Sequence, residues 1–172
     1  MTYLCHVHIG PVQSFIAAGR RTQDLYVGSW LLSELARAGV EAAHQAHADL
    51  LYPTLDNGKM PDSVPNLFMF LTNDADARGI CEYVEQTVRA RWNEIAHSVK
   101  SWLTRQIGGG AWETQFDAQI KQWLELYWVA VPYDDTKHQD GFAAVKRAMA
   151  ARKNARHFPQ VEEPGIKCTV TG

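Results

Sequence analysis

No stretch of this chain approaches the roughly 20 apolar residues that a membrane span needs. Its first ten residues, MTYLCHVHIG, carry neither the charged region nor the long apolar run of a signal peptide, so a cytoplasmic location and no membrane partner are expected. Cysteine is scarce: Cys5, Cys81 and Cys168 are far apart and odd in number, which argues against a disulfide framework and makes reduced thiols the expectation. An excess of one charge is lacking too. With 17 Lys+Arg against 19 Asp+Glu the formal net charge is −2, so there is no general pull toward polyanions. Any polyanion would have to find a local basic patch. What remains, 46% hydrophobic over 172 residues, is a globular chain long enough to bury a real core.

Tyr3–Ile9 is rich in strand formers and reads as a first strand. Gly10-Pro11 follows, then an amphipathic helix with Val12, Phe15, Ile16 and Gly19 on one face. A polar break from Arg20 to Asp24 separates it from a second helical stretch that opens at Val27-Gly28-Ser29-Trp30 and carries its period through Leu31, Leu32, Leu35, Ala38, Ala42 and Ala43. Leu50–Tyr52, stopped by Pro53, reads as a second strand; Pro53 to Pro65 as loop; Leu67–Leu71 as a buried third strand. Ile80, Val84, Val88, Trp92, Ile95, Val99 and Leu103 then predict one long helix from about Ala75 to Gln106, ended by three glycines. Trp112, Phe116, Ile120 and Leu124 line a shorter helix, Leu126–Val131 is a fourth strand stopped by Pro132, and Phe142–Arg156 a basic surface helix. The order β-α-β-β-α-β predicts an α+β, ferredoxin-like antiparallel sheet with helices on one face, plus extra helices after the second strand pair and at the C-terminus. This domain spans 1–158, and 159–172 reads as a linker. The fold settles nothing about function.

The strand–turn–helix at the start is the best site candidate. Gly10 allows a tight exit from the strand, and Pro11 suits the first helical turn, where no N–H is needed. The N–H groups of Val12, Gln13 and Ser14 would then face an anion. With Arg20, Arg21 and Ser29 close in sequence, the segment predicts a nucleotide or phosphate site built on Gly10, Pro11, Gln13, Ser14, Arg20, Arg21 and Ser29.

Other residues invite plainer readings. His6 and His8 share one face of the first strand, but no carboxylate or cysteine lies nearby in ligand spacing, so ordinary sheet histidines are favoured over a metal site. His44 and His47 could pair on a helix, in a segment that looks peripheral and solvated. Asp134-Asp135 could hold magnesium but reads better as a turn. Trp92, Trp102 and Trp123 are expected in core or partner-interface packing. The run Lys146, Arg147, Arg152, Lys153, Arg156 and His157 has almost no compensating acid, which balances a solvated face against phosphate or partner contact.

The segment GPVQSFIAAGRRTQDLYVGSWLLSEL resembles the N-terminal region of the large subunit of type III-B CRISPR effector complexes, the Cmr complex. PNLFMFLT and ARKNARHFPQ leading to GIKCTVTG are similar as well. The resemblance implies the first of two palm domains of nucleotidyl-cyclase type. The second palm, outside this chain, carries a Gly-Gly-Asp-Asp motif, holds magnesium or manganese, and joins ATP into cyclic oligoadenylates. The first completes the ATP cleft and docks onto other subunits, with guide RNA and target RNA engaged indirectly. Palm catalysis needs carboxylates at the end of the first strand and on the hairpin between the second and third. This sequence has His8 and Ile9 at the former and Asp56-Asn57-Gly58 on the latter, so a non-catalytic palm is expected. Cys168 has Thr171 where a CxxC pair would need its second cysteine; it could ligate zinc only with partners downstream, and the chain is expected to be part of a larger subunit.

Two other readings use the same residues. A stand-alone RNA-binding module would present Leu4, His6, Phe68 and Phe70 on its sheet, and a metal hydrolase would use the histidines.

Overall fold

The computed structural model describes residues 1–13, 17, 19–73 and 75–155. Four strands, β1 (Thr2–Gly10), β2 (Asp49–Tyr52), β3 (Leu67–Asn73) and β4 (Glu125–Tyr133), form one antiparallel sheet in the order β2-β3-β1-β4. Among the described residues four helices accompany them: α1 (Thr22–Gln45), α2 (Ala77–Ile107), α3 (Trp112–Trp123) and α4 (His138–Asn154). Order and pairing are those of a ferredoxin-like, palm-type α+β fold. Ser14, Cys168 and the expected linker 159–172 lie outside the described residues, as does most of the helix expected after Pro11.

β1 lies between β3 and β4, and its alternation divides the molecule. Cys5, Val7 and Ile9 are fully buried and share a face with Phe70 and Phe68 on β3 and with Ala130, Trp128 and Leu126 on β4. Against that face pack Leu32, Leu35, Ala36 and Val40 of α1 and Val84 and Val88 of α2, forming the main core. Gly39 permits the closest approach. A Cβ there would meet the ring tip of Phe68 at 2.7 Å and Val88 Cγ2 at 3.0 Å. The alanine-rich end of α1, expected to be peripheral, is instead core: Ala42 and Ala43 are buried, because small side chains bring the helix close to the sheet. His44 and His47 do stay exposed.

The opposite face is only partly covered. Leu4 on β1, Tyr133 on β4 and Val145 on α4 form a second, smaller core there. The terminal helix therefore covers the side that α1 and α2 leave free. Gly141 makes this possible, since a Cβ would stand 2.8 Å from the Tyr133 ring.

Several boundaries differ from the sequence pattern. Pro132 does not stop β4, which runs through it to Tyr133; β4 is an edge strand, where a missing N–H is tolerated. The supposed polar break holds the first turn of α1, which begins at Thr22. Asp24 Oδ2 accepts the backbone N–H groups of Arg20 (3.1 Å) and Arg21 (3.0 Å), so these polar residues start the helix. Asp24→Ala is expected to cost about 1 kcal/mol, read as a lower melting temperature with unchanged secondary structure. The apolar period of α2 outruns the core. Trp92 and Ala96 are buried but Val99 is 45% exposed, because the helix continues past the sheet.

The 53–66 loop is held in place. Ser33 Oγ accepts the N–H of Val64 (2.7 Å), Arg37 donates to the carbonyls of Pro61 and Asp62 (both 2.9 Å), and Asn66 donates to the Ile9 carbonyl (2.9 Å). No helix among the described residues is long and apolar enough to cross a membrane. Cys5 and Cys81 are free and buried. The Cys5 hydrogen bond and burial hold the Cys81 thiol well above its ordinary range, so it is unreactive.

Candidate functional site

β1 stays in the sheet through Gly10, opposite Glu125. Pro11 and Val12 are therefore used to leave the sheet and lie outside any helix; helical backbone appears only at Gln13, which is exposed. Of the N–H groups of Val12, Gln13 and Ser14 expected to face an anion, that of Ser14 lies outside the described residues. The segment offers its cations further on. Arg20 and Arg21 are exposed immediately before α1, Arg21 being its N-cap residue, and Ser29 is exposed two turns into the helix.

Beside them is a pocket of about 850 Å³, whose described lining is Gly19, Thr22, Gln23, Asp24, Tyr26, Val27 and Gly28. Arg20, Arg21 and Ser29 adjoin this lining in the chain without belonging to it, and Gly10, Pro11 and Gln13 are not part of it. Tyr26 and Val27 give it an apolar wall that was missed in the sequence. Tyr26 is 73% exposed, and Trp30 (48%) and Leu25 are exposed on the same helix outside this lining. The signal was available: four residues apart, Tyr26 and Trp30 fall opposite the Leu31–Leu32–Leu35 stripe that enters the core.

The positions that bear carboxylates in a catalytic palm are occupied differently. β1 ends in His8, Ile9 and Gly10. On the β2–β3 loop, Asp56 pairs with Lys59 across a tight turn in which Asn57 (φ 49°) and Gly58 (φ 77°) are left-handed, and Asp56 accepts a hydrogen bond from Asn57. Among the described residues no three of His, Cys, Asp and Glu are placed to hold a metal ion. Asp134 is the turn residue it was expected to be: its Oδ1 accepts both the N–H (2.9 Å) and the hydroxyl (2.7 Å) of Thr136, which hold its carboxyl below the usual range.

His6 and His8 share the second face, as expected. Burial, aided by nearby Lys153, lowers the pKa of both, that of His8 to about 4. The unfolded chain takes up this proton near 6.5 and the folded chain only near 4. Stability from keeping the ring neutral is therefore complete above pH 6.5 and falls as pH drops toward 4. His8→Leu is expected to lose less melting temperature than the parent between pH 7 and pH 4.

The RNA-module platform does not form. Phe68 and Phe70 are fully buried beneath α1 and α2, since the register of β3 aligns them with Val7 and Cys5, and Leu4 is buried on the other face in the core that α4 completes. Trp92 and Trp123 do pack, their rings stacked 4.5 Å apart, but Trp102 is 54% exposed, beyond the core on the last turns of α2.

Comparison with curated proteins gave no match. The sequence model of one family, CRISPR-associated protein Cmr2, N-terminal, matches residues 4–97, from β1 through most of α2 and more than half of the chain. With that match on a palm-type fold, the chain belongs to the Cmr2 family, as the N-terminal region of the large subunit of type III-B CRISPR complexes.

Proposed function

We propose that this region is a non-catalytic first palm that supplies one wall of an ATP cleft, the other wall and the chemistry coming from a second palm of the same subunit. One observation carries this reading: the open pocket at the start of α1, lined by the exposed Tyr26 and Val27, follows directly in the chain on two exposed arginines, Arg20 and Arg21. Exposed aromatic surface next to paired cations suits a ligand with a planar base and a polyphosphate, and suits a second domain closing over it. Gln13 and Ser29 would add polar contacts, with Gly10, Pro11 and Ser14 forming the approach to phosphate or ribose. Magnesium or manganese would be held by the second palm; among the described residues here no three of His, Cys, Asp and Glu are placed to hold a metal ion. ATP bound there would supply the nucleotidyl group for cyclic oligoadenylate synthesis. The residues of this chain orient it and exclude water. The remaining surface would dock other subunits of the effector complex, with guide and target RNA felt indirectly.

In the reconstituted complex, Arg20→Ala/Arg21→Ala is expected to lower oligoadenylate yield at limiting ATP and to recover at saturating ATP. A yield unchanged at every ATP concentration would remove this site from the cleft.

A further inference from the structure

Helices α1 and α2 run antiparallel, and three contacts fix their alignment. Tyr83 donates to Gln45 Oε1 (3.4 Å), Gly39 lies against Val88, and Glu34 Oε1 accepts from Arg91 (2.6 Å). Beyond this last contact both helices continue in the same direction. At 1.5 Å per residue, α1 runs about 18 Å back to Thr22 and α2 about 24 Å on to Ile107. The core ends sooner. The last buried residue toward this end is Gly28 on α1 and Ala96 on α2.

The helix sides that meet at Glu34 and Arg91 stay apolar past the core. On α1 the Glu34 side continues through Trp30 and Val27, one and two turns before it. On α2 the Arg91 side continues through half-buried Ile95 to Trp102 and Arg105, with Val99 beside them. Equal steps along the two helices set Val27 opposite Ser98, one turn from Trp102. Even so, Val27, Trp30, Val99 and Trp102 are each close to half exposed. Single exposed apolar residues are ordinary, whereas two tryptophans and two valines gathered at one end of a helix pair mark an interaction surface.

The charge around this end is one-sided. Arg105 lies on the Trp102 side of α2, and Arg20 and Arg21 stand immediately before α1. All three are exposed and form no ion pair with any described residue. The acids on these stretches are already engaged. Asp24 Oδ2 accepts the N–H groups of Arg20 and Arg21, while Glu34 and Glu94 both bind Arg91.

We propose that this end of the α1–α2 pair docks an acidic amphipathic helix of another subunit. Its apolar stripe rests on Val27, Trp30, Val99 and Trp102, and its carboxylates reach Arg105 and Arg21. The valines give a nucleic acid no ring to stack on, and the arginines disfavour a basic peptide. A field of three arginines speeds encounter with a partner arriving from solution. A domain tethered on the same chain has no need of that help, because its effective concentration is already high. Tryptophan and arginine are also the side chains that most often carry interface affinity. Trp30, Trp102 and Arg105 lie outside the pocket lining, so the proposal does not rest on the ATP reading.

The test places a photo-crosslinker, Trp102→p-benzoylphenylalanine, in the large subunit of the reconstituted complex and maps its cross-links by mass spectrometry. The expected product joins it to one segment of another subunit, with apolar residues at three- and four-residue spacing and an excess of Asp and Glu. Cross-links confined to the large subunit itself, to RNA, or to a segment without that pattern would overturn the proposal, as would none. As a labelled peptide, that segment should bind the large subunit. Trp102→Ser and Arg105→Glu, which alter only exposed side chains, should each weaken it at least tenfold with an unchanged melting temperature and unchanged ATP affinity. Wild-type peptide affinity in both variants, or an equal loss of ATP affinity, would also overturn it.

Discussion

Phe68→Ala is expected to remove about 3–5 kcal/mol, a large share of the about 5–15 kcal/mol that holds a domain folded. Phe68 is fully buried at the meeting point of β3, α1 and α2, with its ring edge against the Gly39 position. The same contact makes an unusual sign change testable. Alanine in a helix interior normally gains roughly 1 kcal/mol over glycine. At Gly39 the new methyl would meet a ring that cannot move away, so Gly39→Ala alone is expected to destabilise by about 1–3 kcal/mol. In a Phe68→Leu background the ring tip is gone, and Gly39→Ala should become neutral or stabilising. Urea unfolding of the four proteins gives this coupling directly. Additive effects would show that the helix approach at Gly39 does not depend on the Phe68 ring.

Trp92→Ala is the second large effect, expected at about 3–5 kcal/mol, and its consequence is local. Helix α3 has no fully buried residue of its own. It is held to α2 by the Trp92–Trp123 stack, by Trp92 Nε1–H donating to the Ile120 carbonyl (2.9 Å), and by the Lys100–Asp117 ion pair (2.7 Å). The ion pair is largely exposed and contributes little. Loss of Trp92 removes both strong contacts together. Amide exchange should rise first across Trp112–Trp123, with β1 still protected. Loss of protection spread evenly over the sheet would mean that α3 is part of the cooperative core.

Much of the fold was legible because its elements carry strong periods. The strand formers of β1 and the three- and four-residue spacing of α2 placed them to within a few residues. The boundaries that slipped were set by chemistry without a periodic signature. Asp24 makes a helix start of residues that look like a break, and an edge position lets Pro132 continue a strand. The burial of Ala42 and Ala43 depends on how near α1 comes to the sheet, which composition does not reveal. Of the candidate site, the sequence indicated the segment and its arginines. The exposed Tyr26, which lines the pocket, and Trp30 were missed because residues off an apolar stripe read as solvent-facing.

The central claim is that this palm binds nucleotide without performing the chemistry. Its most direct test is an ATP titration of the full-length large subunit, wild type against Gln13→Ala and Ser29→Ala. The expected result is a dissociation constant raised about tenfold in the variants, equivalent to about 1.4 kcal/mol. An ATP affinity that is the same in all three proteins would contradict the assignment.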